Sequence, residues 1–487
     1  MTLKEKALKG IKWTALSSVI GAVTQLLQIV VLAHFLAPKD FGLMALATVV
    51  IGFSQMFVDM GVSNAIIHKQ DITKRELDSL YLLNVISGWI IFVLVFLSAP
   101  FIAQFYKEPE LSHIIRWVSL TFIIQPFEQQ FLALLKKELR FNEIAKRDVM
   151  SKLIAFTVSV TLALNGFGVY SLVFANLCAA MVSTFLLVYI GLKYHRPSFY
   201  FKFSDITTSV RFGVFQMGDN FINYFNTQFD SILIGKLLGV EILGIYNLAK
   251  SLAMRPAQII NPIITQIAFP VMSKIQKDIL KLKTAYLKVI NYLSSVNFPI
   301  YIFIAVFAKS MIMIFFGAKW LEAVPILRIL SIYYLVRSTG NPIGALILAR
   351  GRADLSFYWN LGLFFLIPIS IYLGSFFGIN GIALTLVGLQ LVLEIPGWKL
   401  LVNRCCDAGF IEYYKEIAVP LTISCFQGLC CIPIIYLISQ PILQIIIGGV
   451  VFVITAVILN RLFNKEFYDE VFEYLKFGKL QVFISRK

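Results

Sequence analysis

The sequence predicts an all-α polytopic membrane protein with about 14 transmembrane helices. The predicted arrangement has two six-helix lobes, related by a pseudo-two-fold axis along the membrane normal, followed by two further helices. The first observation is composition: the 487 residues are 58% hydrophobic and only 14% charged, whereas soluble domains carry about 25% charged residues. The other two are the lengths of the apolar runs and the placement of basic residues between them. This composition excludes a soluble enzyme and a disulfide-rich secreted scaffold.

Fourteen apolar windows are long enough, or nearly so, to cross a bilayer, which needs about 20 residues per helix. The fifth is short and ends at the turn Asn165–Gly168. In chain order the windows are Ile11–Leu36, Phe41–Ile67, Leu80–Phe105, Leu111–Leu135, Met150–Leu164, Val169–Leu192, Ser209–Leu238, Ile242–Val271, Ala285–Ala308, Pro325–Ala349, Leu355–Phe377, Ile379–Leu401, Ile417–Ile438 and Ile442–Leu462.

The loops between these windows alternate in charge. The formal net charge of the chain is +16. Thirty-one of the 43 basic residues fall in or at the edges of the N-terminal segment, every second loop and the tail, and only five fall in or at the edges of the other loops. An excess of Lys and Arg marks the cytoplasmic side of a membrane protein. We therefore expect both termini in the cytoplasm, and we expect the basic residues to indicate topology rather than nucleic-acid binding.

Two segments recur about two hundred residues apart. Phe35–Ala47 is echoed by Leu237–Ala249, with glycine in the same place, and Ala133–Arg140 is echoed by Ala345–Arg352. Because six helices separate the copies, both copies keep the same orientation, as in parallel-repeat transporters. The repeat predicts an N-terminal lobe at residues 1–205, a second lobe at 206–404, and two extra helices with a cytoplasmic tail at 405–487.

Several charged and amide side chains lie inside the apolar windows, where such groups are costly and usually functional. In the seventh window Asp219, Asn223, Asn226 and Asp230 are spaced by four, three and four residues and share one helix face. This face either lines a cleft or bonds to polar neighbours. The other charged residues in the windows include Asp59, Glu128, Lys152, Lys250, Arg255, Lys288, Arg328, Arg337 and Glu394.

A series of short motifs runs in order from the first helix to about Phe377. The clearest are Arg211–Gly213, Tyr246–Ala249, Asn261–Thr265 and Arg337–Gly344. Together with Asp59–Ile67, these motifs resemble those of the Wzx-type polysaccharide-unit flippases, which belong to the multidrug/oligosaccharidyl-lipid/polysaccharide exporter superfamily. Among the Wzx-type flippases, the sequence is most similar to the group of colanic acid exporters and teichuronic acid biosynthesis proteins. The resemblance weakens after Arg404.

The resemblance implies translocation of undecaprenyl-pyrophosphate-linked oligosaccharide units from the cytoplasmic to the outer leaflet by alternating access. The products would be exopolysaccharide, capsule or lipopolysaccharide, made at a bacterial inner membrane. The implied partners are the lipid-linked cargo, membrane lipid, and candidate assembly proteins such as a repeat-unit polymerase, with no nucleic acid. We expect no enzymatic activity, no cofactor and no metal site.

Arg337 is the first candidate for binding the cargo, because a guanidinium can bond pyrophosphate or a carboxylate through two N–H groups. It precedes Gly340-Asn341-Pro342, where a helix break can free backbone amides. The alternative role for Arg337 is an ion pair between helices. The remaining candidates are Lys250, Arg255 and Asn247 of the eighth window, Asp219, Asn223 and Asn226 of the seventh, and Asn341.

Asp59, Asp219 and Glu394 are candidates for carrying a proton or Na⁺ if transport is coupled to an ion gradient. Structural pairing with Lys or Arg is the competing interpretation. The alternative function for the whole chain is a cation-coupled antiporter of small molecules or drugs in the same superfamily. Fourteen predicted helices rather than twelve favour the flippase.

Overall fold

The computed structural model of the chain describes residues 3–59, 62–69 and 71–477. Within these ranges every regular element is a helix and no strand occurs. The all-α prediction is therefore confirmed for the described residues. The element order is α1 Leu3–Phe35, α2 Pro38–Asp59, α3 Val62–His68, α4 Lys74–Tyr106, α5 Pro109–Ser119, α6 Thr121–Ile124, α7 Pro126–Lys137, α8 Phe141–Leu164, α9 Tyr170–Gly191, α10 Phe203–Leu237, α11 Val240–Ile275, α12 Ile279–Val306, α13 Ala308–Phe315, α14 Ala323–Ser338, α15 Asn341–Ala349, α16 Ala353–Ser375, α17 Gly378–Gly397, α18 Arg404–Cys406, α19 Phe410–Leu437, α20 Pro441–Phe463 and α21 Lys465–Phe477.

Nine helices in the described part of the chain are long and apolar enough to cross a membrane, so this is a multi-pass membrane protein. The count of fourteen stays a prediction. Each predicted window coincides with one helix or with consecutive helices. The fourth window is divided into α5, α6 and α7, and the tenth into α14 and α15. Pro126 and Pro342 lie in the first turns of α7 and α15. Proline is tolerated there because the backbone N–H groups of a first helical turn have no partner within the helix.

The first compact unit of the chain is Met1–Gly244. In it α8 packs between α1 and α9, while α10 packs on α2, α3 and α4. The contact of α10 with α4 includes a hydrogen bond from the Lys236 ammonium to the Phe105 carbonyl. The helix that the repeat predicts as the first of the second lobe therefore packs within this unit. The predicted boundaries at 205/206 and 404/405 stay predictions.

The loop between α9 and α10 is fastened to the start of α4 by Asp78. The Ser198 amide donates to Asp78 Oδ1 over 3.1 Å, and the Ser198 hydroxyl donates to Oδ2 over 2.5 Å. His195 Nε2 lies 3.1 Å from Asp78 Oδ1, with only 6% and 3% of the two side chains exposed. Burial lowers the pKa of His195 below its ordinary value of 6.5, and the nearby Asp78 carboxylate only partly opposes this effect.

The second compact unit is Ile245–Lys487, described here to Phe477. Its central helix α12 packs against α14 and α19, and Tyr286 and Leu293 of α12 are fully buried in the core. The amphipathic helix α21 is held to α12 by Lys288, whose Nζ lies 2.9 Å from Glu466 and also contacts Glu470.

The second echo of the repeat has the same backbone turn in both copies. After α7 the Arg140 amide donates to the Leu135 carbonyl over 2.9 Å, and after α15 the Arg352 amide donates to the Ile347 carbonyl over 3.0 Å. In each turn the residue before the arginine has positive φ: +56° at Leu139 and +66° at Gly351. This is the six-residue bond that ends many helices. The two echoed segments therefore adopt one local structure.

The first echo forms a close helix crossing within the first unit. A Cβ on Gly42 would lie 1.7 Å from the Val240 carbonyl oxygen, and a Cβ on Gly244 would lie 1.8 Å from the Pro38 carbonyl oxygen. Only glycine fits at such distances. The start of α2 and the start of α11 therefore cross backbone to backbone, each through the glycine that the repeat places there.

Candidate functional site

Arg337 lies in the last turn of α14 and its side chain is exposed. Its Nη1 donates to the Tyr333 hydroxyl over 2.6 Å, and the guanidinium carbon is 5.7 Å from the centre of the Tyr333 ring. Because Tyr333 is one turn earlier in the same helix, these contacts orient the guanidinium without joining α14 to another helix.

The helix break after Arg337 is present, but it does not free the backbone amides as predicted. The Thr339 amide donates to the Val336 carbonyl over 3.3 Å, and the Gly340 amide donates to the Arg337 carbonyl over 3.1 Å. Both residues keep right-handed helical angles, so the break is a tightened turn in which these two amides remain bonded. The side chain of the predicted Asn341 lies outside the described residues.

Three candidates lie in the first half of α11. Lys250 is buried, with 9% of the residue exposed. Asn247, one turn earlier, has a buried Nδ2 without a hydrogen-bond partner among the described residues. Arg255 is half-buried; its Nη1 is 3.4 Å from Gln258 Oε1, and its buried Nε has no partner among the described residues. Asn247 and Arg255 therefore keep donors available for a ligand.

The polar face of α10 changes in exposure along its length. Asn223 is exposed, Asn226 is buried at 8% exposed and Asp230 is half-buried. Asp230 Oδ1 accepts from the Ser231 amide over 2.7 Å. The side chain of Asp219 lies outside the described residues. Among the predicted α10 residues whose side chains are described, Asn223 is therefore the exposed one.

Aromatic side chains that the sequence did not single out fix α10 on α2. The Tyr224 hydroxyl donates to the Val49 carbonyl over 2.5 Å. Phe53 of α2 packs against Phe221 and Phe225, with ring centres 6.0 Å and 5.6 Å apart. Their spacing of three or four residues was the available signal, since such residues share a helix face.

The two ion-coupling candidates whose side chains are described have different surroundings. Asp59 Oδ1 accepts from the Ser63 amide over 3.3 Å and from its hydroxyl over 2.5 Å, so Asp59 holds the start of α3. Glu394 in α17 is half-buried and accepts from Gln390 Nε2 over 3.1 Å. Neither acid forms an ion pair with a described Lys or Arg.

Glu128 of α7 contacts side chains from two other helices. Arg147 Nη2 of α8 lies 2.7 Å from Glu128 Oε1. The hydroxyls of Ser183 and Thr184 in α9 donate to Glu128 Oε2, the latter over 3.2 Å. Sequence reasoning marked Glu128 but not its partners, which come from two other helices.

The comparisons with known proteins bear on the whole chain. Residues 31–325 match the model of a family described as polysaccharide biosynthesis protein. The chain is 34% identical to the lipopolysaccharide biosynthesis protein WzxC of Escherichia coli K12, over 87% of this chain and 86% of that protein. It belongs to this polysaccharide biosynthesis protein family.

A second relative in the family is the teichuronic acid biosynthesis protein TuaB of Bacillus subtilis. The identity is 32% over 88% of this chain and 89% of that protein. The resemblance to Wzx-type proteins is thereby confirmed. In fold the chain is similar to an inward closed structure of the lipid II flippase MurJ, with a TM-score of 0.76 and 13% identity over 93% of this chain and 99% of that one. The all-α polytopic fold class agrees with this likeness.

The family match runs from Val31 in α1 to Pro325 at the start of α14, and so ends before Arg337. Asp59, Asn223, Asn226, Asn247, Lys250 and Arg255 lie inside the matched segment, whereas Arg337, Asn341 and Glu394 lie beyond it. The roles predicted for the residues of either group stay predictions, because family membership assigns no role to a single side chain.

Proposed function

We propose that the protein translocates oligosaccharide repeat units linked to undecaprenyl pyrophosphate from the cytoplasmic to the outer leaflet of a bacterial inner membrane. The observation that carries the proposal is the 34% identity to WzxC of E. coli over 87% of this multi-helix chain. A sugar-pyrophosphate headgroup cannot cross hydrocarbon unaided, because removing its charges and hydroxyls from water costs several kcal/mol or more. A protein must therefore offer the headgroup polar contacts in the membrane.

In this proposal Arg337 bonds the pyrophosphate or an acidic sugar. Its exposed guanidinium, oriented by Tyr333 over 2.6 Å, supports that role. Asn247 and Arg255 supply further donors from α11, and Asn223 supplies an amide from α10. Lys250, Asn226, Asp219 and Asn341 complete the proposed contacts.

Movement of the cargo would follow alternating access, as in other transporters built from repeats. Both termini would lie in the cytoplasm, and a repeat-unit polymerase on the outer side would consume the product. We assign no enzymatic step to the chain.

Glu394 is our first candidate for coupling transport to an ion gradient. It is half-buried, accepts a hydrogen bond from Gln390, and has no described Lys or Arg in ion-pair contact. Such a carboxylate can take up a proton or Na⁺ more readily than one already paired with a cation. Asp59 ranks lower because it holds the start of α3, and Asp219 remains a third candidate.

A reconstituted transport assay tests the proposed function. The purified full chain is placed in vesicles containing undecaprenyl pyrophosphate linked to a fluorescent oligosaccharide, and dithionite is added outside. We expect the inner-leaflet label to become accessible to dithionite only in vesicles with protein. Label that stays protected as in protein-free vesicles would contradict the function.

Imposed Na⁺ or pH gradients should change the rate for wild type but not for Glu394→Gln if Glu394 couples transport.

A further inference from the structure

A cavity of about 510 Å³ lies between α8 and α9, at the end of these helices that the loop charges place on the cytoplasmic side. Four basic side chains line it: Arg140, Lys146, Arg147 and Lys193. Glu143 is the one acidic residue in the lining. The cavity belongs to the first unit and includes none of the residues proposed above for the cargo.

The charges in this cavity are only partly neutralised by neighbouring acids. Arg140 Nη1 lies 3.0 Å from Glu143 Oε1. Arg147 reaches Glu128 over 2.7 Å and Asp148 over 2.6 Å.

Three groups in the lining keep capacity for a ligand. Lys146 and Lys193 form no ion pair with the described acids, and Lys193 Nζ instead lies 5.3 Å from the centre of the Tyr189 ring. The buried Nε of Arg147 has no hydrogen-bond partner among the described residues. Buried donors of this kind normally have a partner. An anion that enters the cavity would meet the two lysines.

The other side of the cavity is apolar and faces outward. Met150, Leu186 and Ile190 line it, and 62% of Tyr189 is exposed. Further along α9, Phe185 is 71% exposed. Large apolar side chains exposed on a membrane helix contact lipid tails, while tyrosine is typical of the interface with water. The cavity therefore opens where the hydrocarbon meets the headgroup layer.

We propose that this cavity binds the phosphate headgroup of an anionic glycerophospholipid, whose acyl chains lie along the outward faces of α8 and α9. Lys and Arg form short, charge-assisted hydrogen bonds with phosphate oxygens, and basic pockets between membrane helices on the cytoplasmic side are typical sites for anionic lipid headgroups. A lipid without net charge would leave the excess of basic side chains uncompensated. A cavity of about 510 Å³ falls in the range of small-ligand sites.

Native mass spectrometry of the full chain with added phosphatidylglycerol tests this site. The pocket variant is Lys146→Gln/Lys193→Gln, which removes two exposed charges without touching a described ion pair. Wild type is expected to retain one phosphatidylglycerol per chain and to bind uncharged phosphatidylcholine much more weakly. The affinity of the pocket variant for phosphatidylglycerol should fall roughly 25-fold, since each Lys near the headgroup contributes a factor of about five.

The matched control is Lys399→Gln/Lys415→Gln, which removes two exposed lysines from the same predicted face but outside the cavity. Its binding should equal that of wild type. Equal losses in the two double variants, no loss in the pocket variant, or equal binding of phosphatidylcholine would each overturn the proposal.

A third arm adds undecaprenyl pyrophosphate. If that carrier binds wild type more tightly than phosphatidylglycerol, and the pocket variant loses the preference, the cavity holds the carrier and the phospholipid assignment is wrong.

Discussion

The guanidinium of Arg337 and the buried pair of Glu128 with Arg147 differ in how far the sequence could predict them. Arg337 was identifiable because an arginine stands in an apolar window beside an Asn-Pro break. Tyr333 was not identified as its partner, since an (i, i+4) tyrosine in an apolar window is usually a packing residue. The partners of Glu128 lie 19, 55 and 56 residues away in other helices. Such contacts depend on tertiary packing and leave no local spacing in the sequence.

Removing the guanidinium should abolish transport if Arg337 binds the anionic headgroup. We expect Arg337→Ala to stop the appearance of surface polymer in cells that depend on this protein, with lipid-linked units accumulating inside. Arg337→Lys should retain partial transport, because lysine keeps the charge but not the paired N–H groups. Polymer amount is measured by sugar analysis and protein abundance by immunoblot. Normal polymer from Arg337→Ala at normal abundance would disprove the role.

The buried His195 predicts a loss of stability in acid. Burial lowers its pKa in the folded protein, so the unfolded chain binds a proton at higher pH than the folded chain does. The free energy of unfolding is therefore highest above about pH 6.5 and falls as the pH drops toward the lowered value. Between pH 7.5 and pH 5.5 the thermal unfolding midpoint should fall further in wild type than in His195→Gln. An equal or smaller drop in wild type would show that His195 does not have this effect.

At the scale of elements, the outer ends of the helices were predictable from the apolar windows, whereas the breaks between helices inside one window were not. The apolar windows located α4, α9 and α16 to within a few residues, except where polar first turns such as Thr73–Glu76 lengthen the helix. The fourth window appeared as one span because its composition is apolar throughout, although Pro126 begins a new helix within it. Hydropathy measures composition and is insensitive to a tightened turn.

The glycine crossing of α2 and α11 should not tolerate a single methyl group. In Gly42→Ala the new Cβ would lie 1.7 Å from the Val240 carbonyl oxygen, so the two backbones must separate, and we expect a loss of about 3 kcal/mol of stability, the upper end for overpacking. Gly449→Ala is the matched control, because a Cβ at Gly449 of α20 meets no atom within 4 Å; it should be neutral or stabilising by about 1 kcal/mol. Thermal unfolding of both variants in detergent decides this, and equal midpoints would contradict the crossing.

At the scale of the whole molecule, the multi-pass fold was predictable because composition and loop charge leave few alternatives. The boundaries that the repeat indicates near residues 205 and 404 stay predictions. The packing of α10 on α2 and α4 within the unit Met1–Gly244 could not be predicted from the repeat. A repeat records which segments are equivalent, whereas packing depends on which side chains meet. The spacing of Phe221, Tyr224 and Phe225 shows that they share a helix face, but it does not show that this face packs on Phe53 and Val49 of α2.

The alternating loop charges predict which turns can be labelled from outside the cell. Single cysteines at Phe167 and Arg196, both exposed, are introduced into a full-length chain lacking its six native cysteines. A membrane-impermeant maleimide should label Phe167→Cys in intact cells and Arg196→Cys only after permeabilisation, because the basic loops face the cytoplasm. Both variants should sustain transport. The opposite labelling pattern would invert the predicted topology.

The reciprocal fit of Pro38–Gly42 with Val240–Gly244 bears on the ancestry of the chain. The glycine of each segment meets the carbonyl that starts the other, as happens when two identical subunits associate through a two-fold axis. A half-length ancestor with one copy of this segment would have carried its own dimer contact, and gene duplication with fusion would have kept that contact inside one polypeptide. In such a dimer one codon would have encoded both glycines, so every mutation would have changed both of them together. In the fused chain each glycine is encoded separately, so selection must now preserve two codons to maintain one crossing.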